Sequence, residues 1–187
     1  MDLVTAGRTT AESLLAQALP RRWTHVIAVS AKASKVSMIL DEVDRPLLVA
    51  AAWLHDIGYA PEVTGSGLHA LDGARWLRQH RFDERAAALV AFHSCALFEA
   101  EERGLADRLR AEFVDEETPT RDALWYADMT TGPDGQNFDV LERLAEIRAR
   151  YGPDHLVSRF WERAEPTLLA AVQRTERRLA AIGCQPM

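Results

Sequence analysis

The chain has 187 residues, a length that favours one domain with a buried core over two independent domains. Hydrophobic residues make up 48% of the chain and charged residues 27%, a composition that excludes disordered and fibrous classes. The formal net charge of -6 argues against a broad basic surface for a nucleic acid polymer or an anionic membrane.

Cysteine spacing and the lengths of apolar runs predict the compartment. The two cysteines, Cys95 and Cys184, are far apart and outside any CxxC pattern, so neither a disulfide framework nor a thiolate zinc site is expected. The longest apolar run, residues 46–54, is much shorter than the roughly 20 residues that span a membrane. The sequence does not begin with a basic segment followed by an apolar one. We therefore expect a cytoplasmic protein that does not bind a membrane.

The first two helices are predicted from a capping pattern and from helical periodicity. TTAE at residues 9–12 matches a capping box and predicts a short amphipathic helix that ends near Leu19, before Pro20. A second helix is predicted over residues 21–40, and its two apolar faces indicate a central position. One face comprises Trp23, Ile27, Ser34 and Met38, and the other comprises His25, Val29, Val36 and Ile39.

The third predicted helix, over residues 47–57, is apolar on nearly every side and is expected to form the core, with Asp44 as N-cap and Gly58 at its end. Helical patterns continue beyond a loop rich in Pro and Gly. They cover residues 69–80, 83–94, 97–113 in shorter pieces, 118–128, 138–150 and 153–182, the last bent at Pro166 and closed by Gly183. Because no alternating strand pattern occurs, the predicted fold class is all-α, a compact multi-helix bundle.

Six side chains that can bind metal occur at predicted helix ends or on apolar faces: His25, His55, Asp56, His69, His93 and Asp128. Burial of imidazoles and carboxylates is costly without partners, whereas divalent cations neutralise the carboxylates and accept the imidazole lone pairs. His55 and Asp56 lie about 100° apart around a helix, at its negative C-terminal end, where a cation is favoured. The spacing contains no short motif such as HExxH, so hydrogen-bonded core histidines and a helix-ending aspartate remain the structural alternative.

Five segments resemble, in order, the metal-binding segments of the HD-domain metal-dependent phosphohydrolase superfamily. They are RRWTHVIAVS, AAWLHDIGYA, GLHALDGARWL, LVAFHS and LWYADMT. The order H…HD…H…H…D resembles the binuclear subgroup of that superfamily. The resemblance implies one all-helical HD domain over residues 1–187, with a metal-binding core at about 21–130 and C-terminal helices at 138–183 packing on it.

The same resemblance implies a ligand set and a cofactor. His25, His55, Asp56 and Asp128 would hold one divalent ion, and His69 and His93 would complete a second site with Asp56 bridging. Imidazole and carboxylate ligands suit several ions, so iron, manganese, cobalt, nickel, zinc and magnesium all remain open.

The implied activity is hydrolysis of a phosphoester or phosphoanhydride of a nucleotide or another small phosphorylated metabolite by a metal-activated water. Asp56 is the implied catalytic residue because it would bridge the ions and orient that water. Arg22, three residues before His25, matches the family's R-x-x-H pattern and is the first candidate to bind the substrate phosphate; Lys32 is the second. Many HD hydrolases have a lysine shortly after the HD dyad, whereas this chain continues Gly58-Tyr59-Ala60.

Other functions and roles remain open at this point. Relatives with the same ligand order use a mixed-valent di-iron centre to activate oxygen and cleave C–C or C–P bonds, and a non-catalytic metal-binding regulator is a further alternative. The chain is expected to be a monomer or a small homo-oligomer. Residues expected to have structural or surface roles are His80, His155, Cys95 and the five tryptophans. The arginines of the helix at 138–150, namely Arg143, Arg148 and Arg150, are a further source of cationic charge for the phosphate, but with Glu142 and Glu146 on the same helix the pattern is also typical of a solvated charged face.

Overall fold

The computed structural model describes residues 2–184, and within that range the fold is all-α, as predicted. Ten α-helices are present in the described part, joined by loops and by three short 3₁₀ turns at Ser37–Ile39, Ile57–Tyr59 and His93–Cys95. The helices are α1 (Leu3–Leu15), α2 (Pro20–Val36), α3 (Asp44–Leu54), α4 (His69–Gln79), α5 (Glu84–Ala91), α6 (Ala96–Glu102), α7 (Ala106–Glu112), α8 (Pro119–Met129), α9 (Val140–Tyr151) and α10 (Leu156–Ala181). No helix of residues 2–184 combines the length and apolar character required to cross a bilayer.

The N-terminal helix begins earlier than its capping pattern predicts. The carboxylate of Asp2 accepts hydrogen bonds from the backbone N–H and the hydroxyl of Thr5, at 3.0 and 2.7 Å, so α1 starts at Leu3. The predicted capping box at residues 9–12 therefore lies inside a helix that is already formed, and that prediction is wrong. Pro20 is the first residue of α2, where its missing N–H costs nothing.

Only one of the two apolar faces predicted for α2 is buried. His25, Val29 and Val36 point into the protein, where α2 packs on α3 and α8. On the other predicted face, Ile27 and Met38 are 42% and 60% exposed. The prediction of two buried faces is wrong because the neighbouring helices cover a single stripe of α2.

The third helix forms the core, as predicted, but its ends differ from the prediction. It packs on α1, α2, α5 and α8, and most of its side chains are buried. Asp44 is the first helical residue rather than the N-cap, and its carboxylate accepts hydrogen bonds from Arg85 and from the hydroxyl of Thr120. The helix ends at Leu54, before the HD dyad, so residues 55 and 56 lie in the turn that follows.

Gly58 allows this turn to approach the start of α4. A Cβ at Gly58 would lie 1.8 Å from the carbonyl oxygen of His69, a distance that no side chain can accept. The close approach brings the turn carrying Asp56 next to the first residue of α4, which is His69.

The C-terminal helices pack on the preceding ones. α10 contacts α6, α8 and α9, and it is continuous across Pro166, where a bend was predicted. The carboxylate of Asp122 on α8 accepts two hydrogen bonds from Arg174 on α10, both at 2.7 Å. Trp125 and Trp161 are buried between these helices, and the other three tryptophans are half-buried.

Candidate metal centre

The structure brings all six predicted ligand residues together in two groups of three. One group is formed by His25, His55 and Asp128, and the other by Asp56, His69 and His93. Within each group, one ligand atom of each residue lies within 4.8 Å of the other two. The side chains come from α2, the turn after α3, the start of α4, the turn after α5 and the end of α8, so packing of five segments is required to assemble them.

Asp56 belongs to the second group but lies between the histidines of both groups. Its Oδ2 atom is 3.5 Å from His55 Nε2 and 3.9 Å from His25 Nε2. Its Oδ1 atom is 3.7 Å from His69 Nε2 and 4.0 Å from His93 Nε2. One carboxylate thus presents one oxygen to each group, which is the arrangement that a bridging ligand requires.

Asp128 and Ser94 complete the first group. Asp128 Oδ1 lies 3.0 Å from His25 Nε2 and 3.7 Å from His55 Nε2. The hydroxyl of Ser94 donates to the other oxygen, Asp128 Oδ2, and fixes the orientation of the carboxylate. In the second group, the Nε2 atoms of His69 and His93 are 3.1 Å apart, so both nitrogen atoms face a common volume.

Backbone carbonyls orient three of the imidazoles. The Nδ1 atoms of His25, His55 and His93 lie 3.0, 2.8 and 2.6 Å from the carbonyl oxygens of Gly132, Ala52 and Val90. Because a carbonyl only accepts, Nδ1 carries a proton in each ring, which leaves Nε2 to face the centre. This is the outer-sphere pattern of histidines that bind metals.

His55 Nε2 provides the test of whether a metal fits. This atom is buried and has no hydrogen-bond partner among the described residues. An unpaired buried acceptor costs about 1 to 3 kcal/mol, and a divalent cation would satisfy it together with Asp128. The donor set of imidazoles and carboxylates therefore fits one divalent ion in each group.

The strain in the backbone after α5 is concentrated at this centre. Ser94 and Cys95 have positive φ values of 44° and 61°, which cost roughly 1 to 2 kcal/mol for residues other than glycine. The reversal places His93 and Ser94 in the centre and directs Cys95 into the core, where it is 1% exposed. Burial raises the pKa of the Cys95 thiol, in agreement with the structural role predicted for it.

Electrostatics keep the carboxylates charged and two imidazoles neutral. Burial would raise the pKa of Asp56, but Arg22 and the surrounding imidazoles more than offset it and hold that pKa well below its ordinary range. The pKa of Asp128 is lowered in the same way by His55 and His25. Burial lowers the pKa values of His69 and His93, and the neighbouring histidines lower them further. Deprotonated side chains are the forms that bind metal.

The centre opens into a cavity of about 560 Å³. Arg22, predicted to bind the substrate phosphate, lines this cavity and donates a hydrogen bond to Asp56 Oδ2. Its guanidinium lies 3.6 Å from the centre of the Tyr59 ring, which in turn stacks on His69 with ring centres 4.0 Å apart. The stack holds Arg22 at the edge of the centre.

Lys32 lies elsewhere, contrary to the prediction that it contacts the substrate. Its ammonium donates to the carbonyl oxygen and the hydroxyl of Thr130, at 2.6 and 2.8 Å, and it is not among the residues that line the cavity. Burial, together with the charge of Lys35, lowers the pKa of Lys32 to about 8. Two helical turns beyond His25, the side chain reaches the loop after α8 and anchors it.

The loop at residues 130–135 contributes less to the cavity than its composition suggests. The hydroxyls of Thr130 and Thr131 donate to the carbonyl oxygens of Tyr126 and Ala127, so they are not free donors at the rim. Pro133 is the residue of this loop that lines the cavity.

Two cavity residues, Tyr151 at the end of α9 and His155 before α10, are not among the predicted substrate contacts. Arg143 and Arg150 also line the cavity, which favours a contribution of cationic charge over a fully solvated face for these two arginines. Arg143 is 7% exposed. Its spacing relative to Val140, Leu144 and Ile147 marks the buried stripe of α9, and that signal was available in the sequence.

The predictions for His155 and His80 agree with the structure. His155 caps α10 by accepting a hydrogen bond from the backbone N–H of Val157 at 3.2 Å, and it also lines the cavity. His80 ends α4, where its Nδ1 lies 2.8 Å from the carbonyl oxygen of Trp76.

The fold and the clustered ligands together define an all-α protein with a candidate metal centre. The family model of the HD domain matches residues 22–127, which is more than half of the chain. The chain belongs to the HD domain family, whose members are generally metal-dependent phosphohydrolases. No match was found among curated proteins or among solved structures.

Proposed function

We propose that the chain is a metal-dependent phosphohydrolase that cleaves a phosphoester or phosphoanhydride of a small substrate. One observation carries the proposal: the two oxygens of Asp56 face two separate histidine groups, and the cavity opens on both groups. His25, His55 and Asp128 would hold one divalent ion, His69 and His93 the other, and Asp56 would contact both. Two such ions, when bound, supply an activated water and neutralise the charge that develops on a phosphoryl group.

The protein residues position the reactants and keep the centre electrostatically ready. Asp56 has a depressed pKa and remains a carboxylate, so its part is to orient and not to accept a proton. Arg22 is held beside Asp56 by Tyr59, and its remaining N–H donors can bind phosphate oxygens in the cavity. Buried aromatic side chains of α10, Phe160 and Trp161, line the same cavity and reduce its access to water.

The cavity supports a small phosphorylated metabolite, such as a nucleotide, as the substrate. Its volume of about 560 Å³ lies within the usual range for small-molecule sites, roughly 300 to 1,000 Å³. The net charge of -6 disfavours a nucleic acid polymer, which is bound through a broad basic surface.

The test is phosphate release from a panel of nucleotides and simple phosphate esters, with manganese, iron, cobalt or magnesium added. We expect turnover with at least one ion, and a loss of more than about 100-fold in His93→Gln, which removes a ligand. His80→Gln is the matched control because His80 also ends a helix and bonds a backbone carbonyl but lies outside the cavity. Oxygen consumption with ferrous iron and no phosphate release would contradict the proposal and indicate an oxygenase.

A further inference from the structure

The cavity has a second cationic wall, formed by two arginines of α9. Arg143 and Arg150 both line the cavity, and both donate to the same oxygen, Oε2 of Glu146; the bond from Arg150 measures 2.9 Å. Arg143 is 7% exposed, and its Nε has no hydrogen-bond partner among the described residues. We refer to Arg143 and Arg150 as the α9 arginine pair. Two guanidinium groups with ten N–H donors thus share one carboxylate oxygen, which leaves most of their donors unused.

The other cavity arginines already have carboxylate partners of their own. Arg22 pairs with Asp56, Arg103 with Glu99, and Arg21 with Asp134. The surplus positive charge therefore lies at the α9 pair. Arg150 also acts on Asp134, since its charge helps to lower the pKa of that carboxyl after the larger effect of Arg21. When Asp134 and its partner Arg21 are counted as well, three guanidinium groups, those of Arg21, Arg143 and Arg150, lie near two carboxylates, those of Asp134 and Glu146.

Aromatic groups lie beside the α9 pair. The guanidinium of Arg150 is 5.3 Å from the centre of the Tyr151 ring, and Tyr151 stacks on His155 with ring centres 4.8 Å apart. Both rings line the cavity. All four residues follow residue 127, where the match to the HD domain ends, so this wall is a feature of the present chain and not of the matched region.

We propose that the α9 arginine pair binds a second anionic group of the substrate. The substrate is then a phosphorylated small molecule that carries a further carboxylate or phosphate in addition to the phosphoryl group at the metal centre. The position of the phosphoryl group at the metal centre rests on the proposed function. The position of the second anionic group rests on the surplus charge and the unused donors of Arg143 and Arg150. Glu146 accepts one hydrogen bond from each arginine and offsets part of their charge, so it competes with the second anion.

Non-hydrolysable phosphonates test the proposal by titration calorimetry on the full chain in the presence of manganese. The probes are alkylphosphonates, ω-phosphonoalkanoates and alkane bisphosphonates of equal carbon number, over a series of chain lengths. At one length or more, we expect a carboxylate or a second phosphonate to tighten binding by about tenfold relative to the plain alkyl chain. The two anionic series distinguish a carboxylate from a phosphate.

Variants of α9 identify the residues responsible. Arg150→Gln is expected to abolish the tenfold advantage and to leave the affinity for alkylphosphonates unchanged. Arg148→Gln is the control because Arg148 lies on the same helix but pairs with Glu165 and does not line the cavity. Glu146→Gln should act in the opposite direction and tighten binding of the doubly anionic probes, because it removes the competing carboxylate.

The outcomes separate this inference from the proposed function. An advantage that depends on Arg150, without phosphate release from any ester, would overturn the hydrolase and uphold the second anion site. Phosphate release without any advantage for the second anion, or with an advantage that survives in Arg150→Gln, would overturn the inference alone. Absence of binding by every probe, together with absence of phosphate release from every ester, would overturn both.

Discussion

At His55, one ring nitrogen has a hydrogen-bond partner, and the other has none among the described residues. Nδ1 bonds the carbonyl oxygen of Ala52, whereas Nε2 is buried without a hydrogen-bond partner in residues 2–184. A histidine that served packing alone would leave no such atom, because native proteins rarely bury unpaired polar groups. The most economical explanation for this atom, in a group with His25 and Asp128, is a bound cation.

The residues of the candidate centre could be predicted from the sequence, but the residues that orient them could not. The resemblance of the order H…HD…H…H…D to the HD-domain segments implies that His25, Asp56 and Asp128 share one centre, without any knowledge of distances. Ser94 has no comparable signal, because its bond to Asp128 depends on a left-handed backbone conformation that its neighbours impose. Lys32 failed as a prediction for a related reason, since helical spacing gives the face of a side chain but not the partner at its tip.

Arg22 provides a prediction at this scale. We expect Arg22→Gln to raise the KM for a phosphate ester by about tenfold, because a charge-assisted contact to phosphate is lost. Metal content should not fall, since Arg22 competes with any cation for Asp56 Oδ2. Steady-state kinetics and metal analysis of the same preparation check both statements, with Arg148→Gln as the control. Loss of metal from Arg22→Gln would show that the residue supports the centre instead.

At the scale of elements, the turn between α3 and α4 determines where the HD dyad lies. Sequence patterns extend the third helix to Gly58, but the structure ends it at Leu54 and inserts a 3₁₀ turn at Ile57–Tyr59. The early end turns Asp56 toward both histidine groups. The pattern could not show this, because the apolar run continues through the turn.

Gly58 tests the importance of that turn. In Gly58→Ala the new Cβ would lie within 1.8 to 2.8 Å of backbone atoms of His69 and Gly73, so the turn and α4 must separate. We predict a loss of about 3 kcal/mol in the free energy of unfolding, measured by urea denaturation. Gly65→Ala is the control, because its Cβ would make one ordinary contact at 3.8 Å, and it should change stability by less than about 0.5 kcal/mol. Equal stability of the two variants would contradict this account of the turn.

Asp44 joins three elements and predicts a pH dependence. Hydrogen bonds from Arg85 on α5, and then from Thr120 on α8, hold the pKa of Asp44 below its ordinary value of 3.8. A carboxyl group with a depressed pKa contributes stability above its unfolded pKa, and this contribution is lost as the pH falls through the folded pKa. We predict that Asp44→Asn lowers the free energy of unfolding by about 1 kcal/mol at neutral pH.

The difference between Asp44→Asn and the wild type should shrink in strong acid, below the folded pKa of Asp44, because both side chains are then neutral. Urea unfolding at neutral and at acidic pH checks the prediction. Asp41→Asn, an exposed neighbour on the loop before α3, should behave like the wild type at both pH values. A difference that stays constant with pH would show that the charge of Asp44 is not involved.

For the whole molecule, the candidate centre lies where two apolar clusters meet. Val29 and Leu48 belong to one cluster, and Val26 and Leu54 belong to the other. His25 directly precedes Val26 and lies one helical turn before Val29 on α2, and His55 follows Leu54. Two helices that contribute to both clusters, α2 and α3, therefore carry or directly precede the candidate ligands His25, His55 and Asp56, so packing of the core also positions this part of the centre.

The sequence predicts the class of this molecule better than the shape of its cavity. Helical periodicity and the lack of alternating patterns are sufficient for an all-α fold. The walls contributed by α9 and α10 depend on how α10 packs on α6 and α8 and how α9 packs on α10, and no local pattern specifies that packing. The pattern of α9 does distinguish Arg143, on the buried stripe, from the exposed Arg148, although the prediction treated the two arginines alike.

Metal analysis of the gently purified chain and of two aspartate variants tests the central claim most directly. The account predicts two divalent ions for each wild-type chain, loss of both in Asp56→Asn, and unchanged content in Asp134→Asn, whose carboxylate lies outside the two ligand groups. A wild-type chain that takes up no divalent ion, or an Asp56→Asn chain that retains two, would contradict it.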